Sequence, residues 1–339
     1  MTTISEDAGT SPAVGSSSTA ELGGSHTAVI DEVVEETRDV RVLRLVREDG
    51  SPFRPYEAGA HIDVTGPTGV LRQYSLCGEP SDLSGLLIAV KREPDSRGGS
   101  RALHEVVPGD RLTIGEPRNL LAIDDGADQH VLVAGGIGVT PLLNMAHELH
   151  RRGAAFTLLY FARSRDEMAF ADLLSSGVEF SSNVLLHPGV PRREQPAILR
   201  SIRETLTPRS HVYTCGPDGF MEQVSEVFGE TVGAGHVHIE NFTAKDIDTA
   251  GDRPFVVEID GESYDVPADR TILQVLEEHG IEVFKSCEEG VCGSCVSGVL
   301  DGVPDHRDNC LSAADKAANN EMALCVSRAL TEKLVIELY

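Results

Sequence analysis

The sequence predicts a multidomain protein with an antiparallel β-barrel first, a doubly wound α/β domain second and a small C-terminal α+β domain last. Three observations predict this. Up to about residue 124, short alternating runs are broken by Gly and Pro, the pattern of antiparallel strands. From 125 to 240, fully apolar short runs alternate with helical patterns, which builds an open parallel sheet. After 254, a hairpin signal and one short amphipathic helix lead into a cysteine loop. A chain of 339 residues has room for two or three such cores.

Residues 1–25 are rich in Ser, Thr, Gly and Ala, without Lys, Arg or an apolar run, and are predicted to be a disordered tail rather than a signal peptide. The barrel, 26–124, draws its strands from residues 27–35, 40–47, 61–65, 71–76, 86–91 and 111–115. Two stretches in it carry more than turn chemistry. Arg72-Gln73-Tyr74-Ser75-Leu76 sets a cation, an aromatic face and a hydroxyl on one strand. Arg97-Gly98-Gly99-Ser100 precedes a helical pattern at 101–106, placing backbone amides and a hydroxyl where a phosphate binds. Taken singly, either stretch is more often a solvated face or a plain turn.

In the α/β domain, 125–240, the apolar run Val131-Leu132-Val133-Ala134 feeds Gly135-Gly136-Ile137-Gly138-Val139-Thr140-Pro141 and then a helix to about residue 152. Strand, glycine loop and helix in that order make a dinucleotide pyrophosphate site, because glycines admit close backbone approach and the helix N-terminus meets negative charge. Pro141 fits the first helical turn. The loop departs from G-x-G-x-x-G, so the general fingerprint is not met. Further units follow: a strand at 156–161 with a helix from Asp166, strands at 184–187 and 211–215, then Cys215-Gly216-Pro217-Asp218 into a helix to about 228, and a last strand at 237–240. Cys215 reads either as a small apolar residue ending a strand or as part of a ligand loop at the C-terminal edge of the sheet.

Residues 241–253 are polar and read as a linker, up to about 45 Å long when extended, enough to let the last domain reorient. In 254–339, strands at 255–260 and 263–266 flank Asp260-Gly261, a helix covers 272–279, and strands near 296–300 and 334–338 complete the fold. Between them lies Cys287-Glu288-Glu289-Gly290-Val291-Cys292-Gly293-Ser294-Cys295, completed by Cys325. C-x4-C-x2-C with a distant fourth cysteine is the plant-type arrangement for a [2Fe-2S] cluster. Gly290 and Gly293 permit the wrap of the loop around it. A four-cysteine zinc site usually has two C-x2-C knuckles, and only one is present. Seven cysteines, four in one loop system, also argue against disulfides. Cys77, Cys215 and Cys310 are left outside the cluster, and His61, His104 and Cys310 are read as structural.

The net charge of −25 argues against a nucleic-acid footprint and suits a basic patch on a protein partner, although most of it reads more simply as a solvated acidic surface. From Pro254 onward, six Lys/Arg stand against 17 Asp/Glu, a net −11 on the smallest unit. No stretch approaches the ~20 apolar residues of a membrane span. The expectation is a cytoplasmic protein with no membrane or nucleic-acid partner.

With these blocks placed, the chain after its tail resembles the phthalate dioxygenase reductase family, including vanillate demethylase reductases. The motifs are Arg72 to Leu76, Gly98-Gly99-Ser100, Gly135 to Pro141, Cys215-Gly216-Pro217, Glu240-Asn241-Phe242 and the C-terminal cysteines. The resemblance implies a β-barrel flavin domain, a nucleotide domain and a β-grasp-like ferredoxin domain. It implies FMN, with Arg72 and Gln73 at its phosphate and ring edge, Tyr74 packed on it, Ser75 near its reactive nitrogen, and Phe242 stacked over the ring. The backbone of Ala89, Val90 and Lys91 and the amides of Gly98, Gly99 and Ser100 would complete the pocket. No adenosine-binding aromatic loop follows the barrel motif, which places FAD second.

NADH is the implied donor. Arg163 or Arg165 could pair with a 2′-phosphate, but Asp166 would repel it. Flavin joins a two-electron donor to a one-electron cluster. The implied function is that of a reductase passing electrons from NADH through FMN and [2Fe-2S] to a terminal oxygenase, either Rieske-type or cytochrome P450, without a general acid or base. A redox-sensing module reporting to a regulatory partner is the alternative of a different class.

Overall fold

The computed structural model describes residues 24–94, 98–244 and 246–339. Most of the expected tail, and with it Arg97 and Lys245, lies outside the described residues.

The first sheet holds β1 (His26–Thr37), β2 (Val40–Arg47), β3 (Ala60–Thr65), β4 (Leu71–Ser75), β5 (Leu86–Lys91), β6 (Arg111–Ile114) and β7 (Arg118–Asn119), with one helical turn, α1 (Gly99–Leu103). Its order is β4-β3-β6-β1-β2-β5, all antiparallel, and β7 pairs with β3. A bridge between Leu76 and Ile88 connects the two edges of this path. Strand periodicity decides what each face carries. Ile62 and Val64 of β3 enter a core with Ile30, Leu43, Leu45, Ile88 and Leu112. His61 and Asp63, on the opposite face, are nevertheless buried, at 4% and 8% exposure, because other parts of the chain cover them.

The second sheet is parallel, ordered β10-β9-β8-β11-β12. It comprises β8 (Gln129–Gly135), β9 (Phe156–Ala162), β10 (Val184–Pro188), β11 (Ser210–Cys215) and β12 (Val237–Glu240). Both faces are covered. Leu132, Leu158 and Tyr160 pack with Leu142, Leu143 and Met145 of α2 (Val139–Arg151). Val131, Val133 and Leu159 pack with Leu199 of α3 (Gln195–Arg203) and with Phe220, Val224 and Phe228 of α4 (Asp218–Val232). The expected helix from Asp166 does not form. Phe170, at a positive φ of 61°, breaks it while Met168, Ala169 and Phe170 turn into the core, and only a π-helical turn, Leu173–Gly177, follows.

The third sheet runs β14-β13-β19-β15-β17. Its strands are β13 (Phe255–Ile259), β14 (Glu262–Val266), β15 (Val296–Asp301), β17 (Glu321–Ala323) and β19 (Lys333–Glu337). A small pair, β16 (Pro304–Asp305) with β18 (Arg328–Ala329), lies beside it. Thr271 and Gln274 form a capping box that starts α5 (Ile272–Glu278), and Ser312 with Asp315 starts α6 (Ala313–Ala318). Among the described residues no helix is long and apolar enough to cross a membrane.

The first two sheets share one apolar core, which takes in Val40, Val42, Ala58 and Ala89 as well as α2. Within it, fully buried Asn144 accepts from Gly59 N (2.8 Å) and donates to Gly78 O (2.6 Å). The segment read as a linker is pinned at its far end. Asp252 is paired with Arg307 at 2.6 Å and with Arg328 at 3.5 Å.

At the N-terminal ends of β8, β11 and β12, His130, His211, His236 and His238 gather beside Tyr213. His211 Nδ1 lies 2.9 Å from His238 Nε2, and the His211 and His236 rings stack at 4.2 Å. Burial, then the neighbouring His211, pushes His238 down to about 4, and burial with Arg118 does the same to His61. The fold therefore favours the neutral rings. Unfolded histidine titrates near ~6.5, so this contribution is complete above that pH and is lost as pH falls toward about 4. Thermal unfolding followed by circular dichroism is expected to show Tm falling by several degrees between about pH 7 and about pH 5, with a shallower fall in His238→Asn. Parallel pH profiles for the two proteins would contradict the assignment.

Candidate functional site

One cavity of about 410 Å³ is walled by all three parts of the chain. The outward face of β4 supplies Gln73 and Ser75, alongside Arg72 and Tyr74; β5 supplies Ala89 and Lys91, and α1 supplies Ser100. Ile137 and Thr140 come from the glycine loop and the start of α2. Glu240, Asn241, Phe242 and Thr243 come from the end of β12 and the segment beyond it. Cys287, Glu289, Val291 and Cys292 come from the cysteine loop. Two residues read as structural from the sequence, His61 and Cys310, also stand in this wall, because folding brings β3 and the 309–310 segment to it. His104 lies outside this wall, with its Nε2 2.8 Å from Val90 O.

Not every expected residue reaches the cavity. Val90 points into the first core and is not in the wall, as the alternation of β5 requires. Gly98 and Gly99 sit behind Ser100 at the start of α1, with Gly99 packed on Val70 and Arg72.

Two buried polar atoms of the wall, His61 Nε2 and Glu240 Oε2, have no hydrogen-bond partner among the described residues. Ser75 Oγ donates to the other Glu240 oxygen at 3.4 Å. Burial raises the Glu240 carboxyl to about 8, so it holds a proton at neutral pH. A cavity of this size, largely apolar but with unpaired donors and acceptors on one side, fits a flat polar cofactor.

The glycine loop lies at the C-terminal end of β8 and the Cys215-Gly216-Pro217 loop at the end of β11. They touch through their backbones: a Cβ on Gly138 would overlap the carbonyl of Cys215. Only glycine admits that approach. It holds the start of α2 and the Pro217 cap of α4 side by side, with Pro141 buried in the first turn of α2. Gly135 and Gly136 complete this edge. Cys215 is fully buried, and burial raises its thiol well above the ordinary value.

Arg163, just beyond β9, is exposed and 3.8 Å from Glu167. Arg165 is paired with Asp172 at 2.8 Å. A cation that sequence reasoning missed, Arg192, lies against Gly219 in the first turn of α4.

The four cysteines stand as two pairs. Cys287 shares a hydrogen bond with Cys292, and Cys295 shares one with Cys325. Hydrogen bonding between the two draws the Cys292 thiol down and pushes the Cys287 thiol up. The N–H groups of Glu289 and Ser294 aim at Cys287 Sγ (3.3 Å) and Cys292 Sγ (3.4 Å). Gly290, at φ +72°, packs against Asp308 and Val326 where no side chain fits. Two thiol pairs suit a cluster of two irons, each held by two sulfurs.

Residues 256–330 match the family model described as a 2Fe-2S iron-sulfur cluster binding domain. A vanillate O-demethylase oxidoreductase from a Pseudomonas species is 43% identical over 309 residues, covering 89% of this chain and 96% of its own. The solved phthalate dioxygenase reductase, described as a modular structure for electron transfer from pyridine nucleotides to [2Fe-2S], is 36% identical. It covers 93% of this chain and 98% of its own, at a TM-score of 0.68. The chain belongs to the phthalate dioxygenase reductase family. It is an oxidoreductase of the kind that serves oxygenase systems. A self-sufficient type IV cytochrome P450 monooxygenase contains the same architecture over 41% of its length, with 35% identity, 93% of this chain covered and a TM-score of 0.83.

For this reductase, Cys325→Ser is expected to abolish or grossly perturb the ferredoxin-type visible absorption and to leave the flavin bound. An unchanged cluster spectrum by absorption and EPR would remove Cys325 from the ligand set.

Proposed function

We propose that the 410 Å³ cavity holds FMN, that NADH enters along the glycine-loop edge, and that the cysteine pairs hold the [2Fe-2S] cluster against the far side. The observation that carries this reading is the cavity wall itself, where Ser75 of β4, Thr140 of α2 and Cys287 of the cysteine loop face one space from all three parts of the chain. When bound, the flavin takes two electrons together from the nicotinamide and yields them singly to the cluster.

The chain's own residues bind and orient. Arg72, Lys91 and Ser100 supply two cations and a hydroxyl for the phosphate end, with the amides of Gly98 and Gly99 behind them. Tyr74 and Phe242 offer aromatic faces, and Gln73, Ser75 and protonated Glu240 offer hydrogen bonds to the ring edge. Gly135, Gly136, Gly138, Thr140 and Pro141 face the pyrophosphate, while Cys215, Gly216 and Pro217 shape the nicotinamide end. Arg163 reaches toward the adenosine ribose. On this reading the first sheet is a closed barrel, joined through the Leu76–Ile88 bridge, and the third is β-grasp-like. The domains span 26–124, 125–240 and 254–339.

The acceptor is a separate oxygenase, Rieske-type or P450, docked transiently by charge. Heat release of the cofactor is expected to give FMN at about one equivalent per chain, and kcat/KM is expected to be higher for NADH than for NADPH. Recovery of FAD, or the reverse nucleotide preference, would overturn the respective assignment. The net −11 after Pro254 predicts that transfer to the oxygenase slows as salt shortens the Debye length from about 30 Å to about 8 Å, while flavin reduction by NADH does not change. A rate indifferent to salt would leave that charge without a steering role.

A further inference from the structure

Beside the cavity, on the outward face of β3, the buried Asp63 carboxylate gathers donors from three places. Arg118 of β7 donates twice, Nη1 to Oδ2 (2.9 Å) and Nη2 to Oδ1 (2.8 Å). Gln73 of β4, directly opposite in the strand register, donates to Oδ1 at 3.0 Å. Ser286, 223 residues away in sequence, donates to the same oxygen at 2.7 Å and also accepts from Gln73 Nε2 at 2.7 Å. Ser286 immediately precedes Cys287, one of the cysteines in the cavity wall. Two residues earlier, the Phe284 ring lies under the Arg118 guanidinium at 5.5 Å. Burial would raise the Asp63 carboxyl, but Arg118, Ser286 and Gln73 outweigh it and keep it charged.

We infer that Asp63 and Arg118 are positioning residues: they hold the segment 284–287 and so set the approach of the cysteine loop to the flavin cavity. The inference rests on the reading that this cavity holds the flavin. Charge-assisted hydrogen bonds are directional, and a bidentate guanidinium–carboxylate pair fixes orientation as well as distance. Ser286 is the cross-chain member, and its hydroxyl meets an acceptor that Arg118 has already made rigid. Gln73 links the same node to the cofactor pocket, so the contact is made only when the pocket wall and the cysteine loop are both in place. Losing one charge-assisted hydrogen bond shifts a docked-to-undocked ratio by roughly 10- to 100-fold.

The test uses the holoprotein and two variants. Ser286→Ala deletes both hydrogen bonds of the Ser286 hydroxyl, to Asp63 and from Gln73, and leaves the Asp63–Arg118 pair intact, so it does not endanger folding; Ser286→Thr restores a hydroxyl. Hydrogen exchange of residues 284–295 in the oxidised protein, without NADH, is expected to accelerate about tenfold or more in Ser286→Ala and to recover in Ser286→Thr. In single-turnover mixing, flavin bleaching by NADH is expected at the wild-type rate, with cluster reduction slowed by a similar factor. Unchanged exchange, or equal slowing of both phases, would overturn the positioning role. Absence of flavin bleaching in the wild-type protein would instead overturn the underlying functional reading.

Discussion

The period of two along β3 is the constraint on which the rest of the site depends. Ile62 and Val64 are locked into the first core, so His61 and Asp63 must face the other way, onto a surface that a free-standing sheet would give to water. Here that surface is roofed by the end of the parallel sheet and by the cysteine loop. Across the register His61 pairs with Ser75 and Asp63 with Gln73, which puts four polar side chains on a patch two residues long. The polar half of the strand is what meets the rest of the site, because its apolar half is already used in the core.

The two seams of the molecule differ in physical kind. Between the first and second sheets the core is continuous and apolar, and Asn144 satisfies two backbone groups inside it, so separation would expose both hydrocarbon and unpaired amides. Between the third sheet and the rest, the directional contacts are hydrogen bonds and ion pairs at Asp63, Asn309 and Asp252, beside contacts of Phe284 with Arg118 and of Leu120 with Gly293. Polar seams of that sort resemble transient interfaces. A unit seated by such bonds on a continuous pair suits a protein that must receive electrons on one side and present them on another.

The strands were legible because their signal is local. Residues 40–47 and 86–91 fold with the bounds their alternation suggests, and β1 merely extends past its expected ends. Strands of two residues, such as β7 and β18, have no period to read and exist only because a partner strand is present. The missing helix after Asp166 shows the opposite failure: a plausible local pattern overridden by the burial of Met168 and Phe170. In the site, glycine and cysteine spacings were readable from residues close in sequence. His61, Cys310 and the Ser286–Asp63 bond were not, since each depends on segments far apart in the chain and nothing at either end marks the other.

The path of the chain between the second and third sheets has a consequence for how such proteins can be taken apart. Glu240, Asn241, Phe242 and Thr243 are at once the exit from the parallel sheet and one wall of the cavity, and Asn241 is bonded onward to Asn309 in the last unit. The connector is therefore architectural and not a spacer. A gene fusion or truncation that treats the units as interchangeable beads would have to carry this segment with the first two, and the third unit, grafted elsewhere, would lose the bonds of Asn309 to Asn241 and Thr243. Evolution is expected to shuffle the whole reductase as one piece more readily than its parts, and the presence of the same architecture inside a self-sufficient monooxygenase has that form.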